Sequence, residues 1–166
     1  RSFTSRNFKI VGESGHVYGY GKSVWAMIDL DTRHPADILA VRGGLITEYI
    51  ETEYPCPIEK SSRVKLSVGA TPIRSIDTYY NDVDINGHIN SVKYIEHVLD
   101  LWDVSWYKQH CMRRFEIAYV AESHQGDRLH FYREGRDSDT DFNVRITKSN
   151  RDSAEVEVCR CRVQFV

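Results

Sequence analysis

The sequence lacks the features by which several classes of protein are recognised. It has no run of Lys or Arg, and its 22 basic and 24 acidic residues leave a formal net charge of −2. Nucleic acid and acidic membrane surfaces require a basic patch that this balance does not provide. No apolar run approaches the roughly 18 residues that cross a bilayer. We therefore expect a protein that binds neither nucleic acid nor membrane.

Motifs that bind metals or cofactors are also missing. The four cysteines, at positions 56, 111, 159 and 161, show no zinc-ligand spacing, and the seven histidines include no H-E-x-x-H pair. No glycine-rich nucleotide loop is present. These patterns predict reduced cysteines in a cytoplasmic protein, no metal and no cofactor. The chain starts at Arg1 without Met, which predicts a truncated start.

The patterns that are present predict two parts joined by a linker. With 166 residues, of which 41% are hydrophobic, the chain is long enough to bury one core. We predict a strand pair over residues 1–33, a linker over 34–70 and a second domain over 71–166. The linker is proposed because glycine and proline interrupt every periodic pattern there, and connections of this length usually bridge two units.

Within the second domain, periodicity predicts one strand, a helix and four more strands. The first strand covers 72–80, the helix extends to about residue 102, and a short helical piece follows over 105–110. Alternating apolar residues then mark four strands up to residue 166. A single helix among strands buries its apolar stripe on one face of an antiparallel sheet. The prediction is an α+β hotdog fold, with the sheet wrapped around the helix.

Two finer patterns refine this prediction. The hairpin at residues 8–25 resembles the one at 142–165 in length, turn position and alternation. The first strand pair is therefore interpreted as the last two strands of a preceding, truncated hotdog. In the final strand the apolar phase changes between Val158 and Cys159, which predicts a bulge or burial on both faces.

A polar turn precedes the predicted helix and is the candidate site. Asp84, Asn86 and His88 recur at spacing two. The N–H groups of Gly87 and Ile89 lie where a helix start would offer them to an oxyanion or a polarised carbonyl. An amide that binds a carbonyl and an imidazole that activates water suit acyl transfer. The same residue types also cap turns and helices for structural reasons, so both interpretations stay open.

Three stretches resemble a known family. Residues 84–95 follow the pattern Asp-x-Asn-x-His-Ile-Asn-x-Val-x-Tyr-Ile, which resembles the catalytic signature of the acyl-acyl carrier protein (acyl-ACP) thioesterases of bacteria and plants. Residues 24–33 and the Ala-Glu-Ser at 121–123 are also similar to that family, so the resemblance covers essentially the whole chain. The family has two hotdog units in tandem, and the second carries the catalytic residues.

This resemblance implies a function and a set of site residues. It implies hydrolysis of fatty acyl-ACP to free fatty acid and holo-carrier, with no cofactor beyond the phosphopantetheine arm of the substrate. The catalytic residues are then Asp84, Asn86, His88 and Glu122. The family commonly has Cys after this glutamate, whereas Ser123 stands here and is expected to be a bystander. The implied partners are acyl carrier protein and a fatty acyl chain, and a homodimer is a further expectation.

Other interpretations stay open at this point. From the residues alone, Glu122 is a solvated strand end, since a polar turn follows it. Three other functions are compatible with the pattern: a hotdog acyl-CoA thioesterase, a dehydratase of hydroxyacyl thioesters, and a non-catalytic acyl-binding module. A glutamate that acts as a general base and one that attacks the thioester directly are not separated by the sequence.

Overall fold

A computed structural model describes residues 2–150 and 154–166 of the chain. The chain divides into two compact units, Arg1–Lys60 and Ser61–Val166. This division falls within the predicted linker of residues 34–70, which is therefore shared between the units. Arg1, and with it the predicted truncation at the chain start, lies outside the described residues. No helix in the described part of the chain is long and apolar enough to span a membrane.

The first unit contains an antiparallel strand pair and a 3₁₀ segment. Strand β1 (Phe3–Val11) pairs with β2 (Val17–Ala26). The 3₁₀ segment Ile38–Tyr49 is interrupted by four residues with non-helical dihedral angles. Gly43 and Gly44, which interrupt the helical pattern in the sequence, lie at this interruption and have positive φ.

The strand pair exposes much apolar surface. A two-stranded hairpin is marginally stable at best in water, and a large exposed apolar patch marks an interaction surface. This agrees with the prediction that β1 and β2 are the last strands of a preceding hotdog. The exposed large apolar side chains of the pair are Phe3, Phe8, Ile10, Val11, Tyr18, Tyr20, Val24 and Trp25.

The second unit is a five-stranded antiparallel sheet with two helices. Its strands lie in the order β3-β5-β6-β7-β4, so that β3 and β4 form the edges. This agrees with the predicted α+β hotdog fold. In chain order the elements are β3 (Arg74–Asp77), a 3₁₀ turn (Tyr80–Asp82), α1 (Ser91–Leu99), α2 (Val104–Gln109), β4 (Met112–Tyr119), β5 (Arg128–Gly135), β6 (Asp141–Ser149) and β7 (Val156–Phe165).

Two elements are shorter than predicted. Strand β3 ends at Asp77 because the Thr78 hydroxyl turns to the carbonyl oxygens of His124 and Asp127, at 3.0 and 2.7 Å. Helix α1 ends at Leu99 rather than near residue 102. The N–H groups of residues 101 and 102 donate to carbonyls three residues earlier, at 3.1 and 3.5 Å, which tightens the last turn.

The buried stripe of α1 packs into the core of the sheet. Asn90 caps the helix, its side-chain oxygen accepting the Val92 N–H at 3.0 Å. One turn apart, Tyr94 and Val98 are buried, and Trp102 continues the stripe beyond the helix. Their partners in the core are the inward-facing residues of the sheet: Leu129, Phe131, Val144, Ile146, Val158, Cys159, Cys161, Val163 and Phe165.

The irregularity predicted in the last strand is a bulge at Val158. Ile146 of β6 pairs with Cys159, whereas Thr147 pairs with Glu157, so Val158 is the extra residue. Val158 and Cys159 are both fully buried. Beyond the end of β4, the Val158 carbonyl accepts the N–H groups of residues 120 and 121, at 2.8 and 3.4 Å. The bulge therefore directs the segment that leads to Glu122.

The buried side of α1 also carries His97, which predicts a pH-dependent stability. Its ring lies edge-on to Phe131 with centroids 6.0 Å apart. Burial lowers the pKa of His97. The negative charge of Asp82 opposes this shift, and the positive charge of Arg74 adds to it. The unfolded chain therefore binds this proton more readily, and the free energy of unfolding is expected to decrease as the pH falls below about 6.5.

A His97→Leu variant should lose this part of the pH dependence. Urea unfolding of the wild type and the variant between pH 7.5 and 5 measures the difference. Parallel stability profiles for the two proteins would contradict the assignment to His97.

Candidate active site

The polar turn before α1 is organised by the Asp84 carboxylate. Its Oδ1 atom accepts the N–H groups of Asn86, at 2.8 Å, and of His88, at 3.2 Å. The Asp84 N–H donates to the His88 carbonyl at 2.8 Å. Because the carboxylate and the backbone N–H of Asp84 both bond within the turn, they set the direction in which the His88 side chain leaves the backbone.

Asp84 is ionised at neutral pH. Partial desolvation raises the pKa of its carboxyl group, but hydrogen bonds from Asn86 and His88 outweigh this effect and hold the pKa below its usual value. The hydrogen bonds that favour the charged form are the same ones that shape the turn.

The N–H groups predicted to bind an oxyanion are already engaged. The Gly87 N–H donates to the Asp84 carbonyl at 3.0 Å, and the Ile89 N–H donates to the Ser123 carbonyl at 2.8 Å. This corrects the expectation that Gly87 and Ile89 face the thioester carbonyl, because each donor is used within the protein. The physical reason is that α1 starts two residues after Ile89.

A different backbone N–H at the start of α1 is available to bind the thioester carbonyl. The N–H groups of Val92 and Lys93 are accepted by the side chain and carbonyl of Asn90, at 3.0 and 2.9 Å. The first helical N–H, that of Ser91, has no acceptor in the part of the chain that the structure describes. It lies at the positive end of the helix dipole, beside the cavity described below.

Gly87 has a structural role that can be tested. Its φ is +82°, and a Cβ there would meet no atom within 4 Å, so the cost of a side chain is conformational rather than steric. We expect Gly87→Ala to lower the free energy of unfolding by about 1–2 kcal/mol. Gly135→Ala, with similar space and no positive φ, is the matched control. Equal stabilities of the two variants in urea unfolding would refute the prediction.

The structure brings Glu122 to His88 across 34 residues of sequence. The Nε2 atom of His88 lies 3.4 Å from Oε2 of Glu122, and the two side chains are 30% and 52% exposed. The His88 ring also packs edge-on against His124, with centroids 5.1 Å apart. A partly solvated imidazole beside a carboxylate is an arrangement suited to general acid–base chemistry.

This pair lies in a cavity of about 200 Å³ that contains three of the four predicted catalytic residues. Asn86, the fourth, belongs to the same turn, but its exposed side chain does not line the cavity. Ser123, the expected bystander, is fully buried and does not line it either. The lining residues are Asp84, His88, Ile89, Ser91, Tyr94, Tyr119, Ala121 and Glu122.

Two tyrosines, Tyr94 and Tyr119, line the cavity in addition to the predicted site residues. The Tyr119 hydroxyl donates to the Ser91 carbonyl at 3.1 Å, which ties the end of β4 to the start of α1. Tyr94 is 3% exposed, and burial raises its pKa to about 12, so it is a neutral phenol at working pH. Tyr94 lies one helical turn after Asn90 in the motif, a usable signal, whereas Tyr119 carries none.

Lys148 is a further residue beside the site, and no pattern in the sequence predicted it. Glu122 follows β4 in a segment without strand pairing, and the Lys148 ammonium donates to its carbonyl at 2.7 Å. The same ammonium lies 3.2 Å from the Asp127 carboxylate, which accepts the His124 N–H at 3.0 Å. Lys148 and Asp127 therefore form a clamp on the backbone that carries Glu122.

No metal site is evident in residues 2–150 and 154–166, where no group of three or more His, Cys, Asp or Glu side chains is arranged around a common point. The four cysteines are free thiols. Burial raises the pKa of Cys159 and Cys161, so both are protonated members of the core.

An antiparallel sheet around one helix, with a histidine–carboxylate pair at the helix start, places the second unit in the hotdog class. A family model described as the acyl-ACP thioesterase C-terminal domain matches residues 67–165. The chain belongs to the acyl-ACP thioesterase family.

Known proteins similar to the chain come from bacteria and plants. A palmitoyl-acyl carrier protein thioesterase of Gossypium hirsutum, described as chloroplastic, is 26% identical over 141 residues, which are 83% of this chain and 34% of that protein. The crystal structure of an acyl-ACP thioesterase from Bacteroides thetaiotaomicron is 46% identical with a TM-score of 0.88, covering 100% of this chain and 64% of that one.

A more distant structure shares the fold. The 12:0-ACP thioesterase of Umbellularia californica has a TM-score of 0.79 at 20% identity, and the match covers 99% of this chain and 63% of that one. The chain thus spans about a third of the Gossypium hirsutum protein and just under two thirds of either solved structure.

Proposed function

We propose that the protein is a thioesterase that hydrolyses fatty acyl-ACP to free fatty acid and holo-carrier. The observation that carries the proposal is the contact of His88 Nε2 with Glu122 Oε2, 3.4 Å apart, in a cavity beside the start of α1. Both residues lie within the segment that matches the family. The similar proteins of Gossypium hirsutum and Bacteroides thetaiotaomicron are a palmitoyl-acyl carrier protein thioesterase and an acyl-ACP thioesterase, which supports the proposed substrate.

In the proposed reaction, His88 and Glu122 activate a water molecule. His88 accepts a proton from water, and the Glu122 carboxylate stabilises the imidazolium that forms. The hydroxide adds to the thioester carbonyl carbon. The C–S bond then breaks with its electron pair on sulfur, and the imidazolium returns its proton to that sulfur. The products are the fatty acid and the pantetheine thiol of the carrier.

The thioester carbonyl is polarised in this proposal by the Asn86 side chain and the Ser91 N–H. A donor at a helix start stabilises the negative charge that develops on the carbonyl oxygen. Asp84 orients Asn86 and His88, supported by its hydrogen bonds to their backbone N–H groups. Tyr94 and Tyr119 form apolar walls beside the reacting groups.

The proposal extends to partners and location. Acyl carrier protein supplies the substrate, whose phosphopantetheine arm brings the thioester to the site and whose fatty acyl chain is the group released. The protein needs no cofactor of its own, assembles as a homodimer and works in the bacterial cytoplasm. The similarity to a Bacteroides protein and the four free cysteines support this location.

A substrate panel tests the proposal. The chain is incubated with palmitoyl-acyl carrier protein, palmitoyl-CoA and a 3-hydroxyacyl thioester, and free thiol, free acid and water loss are measured. Release of thiol and acid from the carrier substrate, at a kcat/KM above that for the CoA ester, is the expected result. Preferred turnover of the CoA ester, dehydration of the hydroxy substrate, or tight binding without turnover would each overturn it.

A further inference from the structure

The second unit has a larger cavity, of about 650 Å³, that is separate from the candidate active site. One wall is the segment of residues 61–66, and the other is formed by side chains of β6 and β7. Along these strands Arg145 and Arg160 alternate with buried residues such as Val144 and Cys161. Both arginines therefore project from the outer face of the sheet, opposite to α1.

The lining of this cavity contains more basic than acidic side chains. Arg63 and Lys65 come from the segment of residues 61–66, Arg145 from β6 and Arg160 from β7, and Glu157 is the one carboxylate in the lining. Arg145 lies directly opposite Arg160 in the register of the sheet. Like charges in directly opposed positions destabilise a sheet unless a counter-charge lies between them.

The carboxylates near this cavity are too few to balance its four cations. Glu157 forms an ion pair with Arg160. Glu155 acts on Arg145 from a distance, because its carboxylate is held by the hydroxyls of Tyr132 and Thr147, at 2.5 and 2.7 Å. Four cations and these two carboxylates leave a local charge of +2. In the described residues, no carboxylate lies within 4 Å of the Arg63, Lys65 or Arg145 cations.

A neighbouring arginine on the same face of the sheet, by contrast, is paired with carboxylates. Arg162, two residues from Arg160, pairs with Asp141, the Nη2 to Oδ2 distance being 2.6 Å, and Glu116 lies 3.9 Å away. The fold thus provides carboxylates for Arg162 but not for Arg145. Arg145 is instead held by stacking, its guanidinium 4.4 Å from the centre of the Tyr132 ring, and its Nε has no hydrogen-bond partner.

We propose that this cavity binds a small molecule that carries a phosphate monoester. Such a group has a charge of about −1.5 to −2 at neutral pH, which balances the local excess. The planar Arg145 fork, fixed by Tyr132, suits phosphate oxygens, and Arg63 and Lys65 approach from the opposite wall. The volume lies in the range of about 300–1,000 Å³ that is typical of ligand pockets. The phosphate site is independent of the hydrolytic proposal.

Calorimetric titration of the chain at fixed ionic strength tests the proposal. The probes are inorganic phosphate, phosphopantetheine and pantetheine, which separate a free phosphate, a phosphate monoester and the same arm without phosphate. Both phosphates should bind and compete with each other, and pantetheine should not bind. Equal binding of pantetheine, or binding of acyl carrier protein at this face without any binding of the two phosphates, would overturn the proposal.

Variants locate the binding in the cavity. Arg63→Gln and Lys65→Gln, both exposed, should each weaken binding of inorganic phosphate about tenfold. Arg128→Gln, which removes an exposed arginine paired with Asp77, is the matched control and should bind like the wild type. Undiminished affinity in both cavity variants would refute the proposed site.

Thermal unfolding gives a readout that does not depend on the calorimeter. Phosphate should raise the Tm of the wild type above that in sodium chloride of equal ionic strength, because it binds the folded state. The rise should be smaller in Lys65→Gln. Without phosphate and at low salt, Lys65→Gln should unfold at or above the wild-type Tm, since one repelling cation is gone. An equal phosphate-induced rise in both proteins would contradict the proposal.

Discussion

Replacing His88 with Ala, or Glu122 with Gln, is expected to lower kcat for thioester hydrolysis by about 10²- to 10⁴-fold. The two side chains meet at 3.4 Å, and the proposed proton transfer from water requires both. Because they act on one proton as a unit, the double variant should be no slower than about the slower single variant. Steady-state rates with an acyl-ACP substrate, with folding checked by circular dichroism, measure the effect.

A carboxylate on helix α1, outside the candidate site, supplies the control. Glu96 is exposed on α1 and pairs with Lys93, their Oε2 and Nζ atoms 2.9 Å apart. Glu96→Gln should change kcat by no more than about twofold. If His88→Ala and Glu122→Gln retained wild-type rates, the proposed site would be wrong. Multiplicative losses in the double variant would show instead that the two residues act independently.

Replacing Lys148 with Met is expected to lower kcat about 10- to 100-fold through the position of Glu122. Lys148 touches no substrate in the proposed reaction. Its ammonium holds the Glu122 carbonyl and the Asp127 carboxylate, and the Lys148 and Asp127 side chains are only 22% and 13% exposed. Loss of the cation leaves Asp127 uncompensated, so the free energy of unfolding should also fall by about 3 kcal/mol.

The kinetic pattern separates positioning from simple loss of structure. In the folded fraction, Lys148→Met should lower kcat while KM stays within about twofold, since the reacting geometry changes and the acyl contacts do not. Lys148→Arg, which keeps a cation, should recover part of the rate. Lys93→Met removes a partly exposed lysine from α1 and should leave kcat unchanged. A folded Lys148→Met protein with wild-type kcat would refute the clamp.

The fold was predictable to the extent that its signals are local. Alternation along each strand and the apolar stripe of α1 arise from side chains a few residues apart, so the order of elements in the second unit was predicted correctly. The change of phase at Val158 likewise located the bulge. The predicted end of β3 was wrong, because Thr78 leaves the sheet to bond with His124 and Asp127, far along the chain. The predicted end of α1 was wrong because the hydrogen bonds of its last turn tighten.

The candidate site, too, was predictable only where its contacts are local. Asp84, Asn86 and His88 lie within five residues, and a turn that one carboxylate closes brings them together, so their pattern alone was enough to predict the group. Which amide at the helix start is free was not predictable. The Ile89 N–H is used by the carbonyl of Ser123, a residue 34 positions later, and no local pattern in the sequence shows that contact.

The amino-acid sequence sufficed for the hotdog class, the polar turn and the bulge, because each depends on residues that are neighbours in the chain. Folding of the whole unit was needed to place Glu122 against His88, to clamp its backbone with Lys148 and to set Arg145 opposite Arg160. These arrangements join different strands and loops, and their geometry depends on sheet register and on where β4 ends. No local pattern encodes such distances, because they arise only when the strands pair.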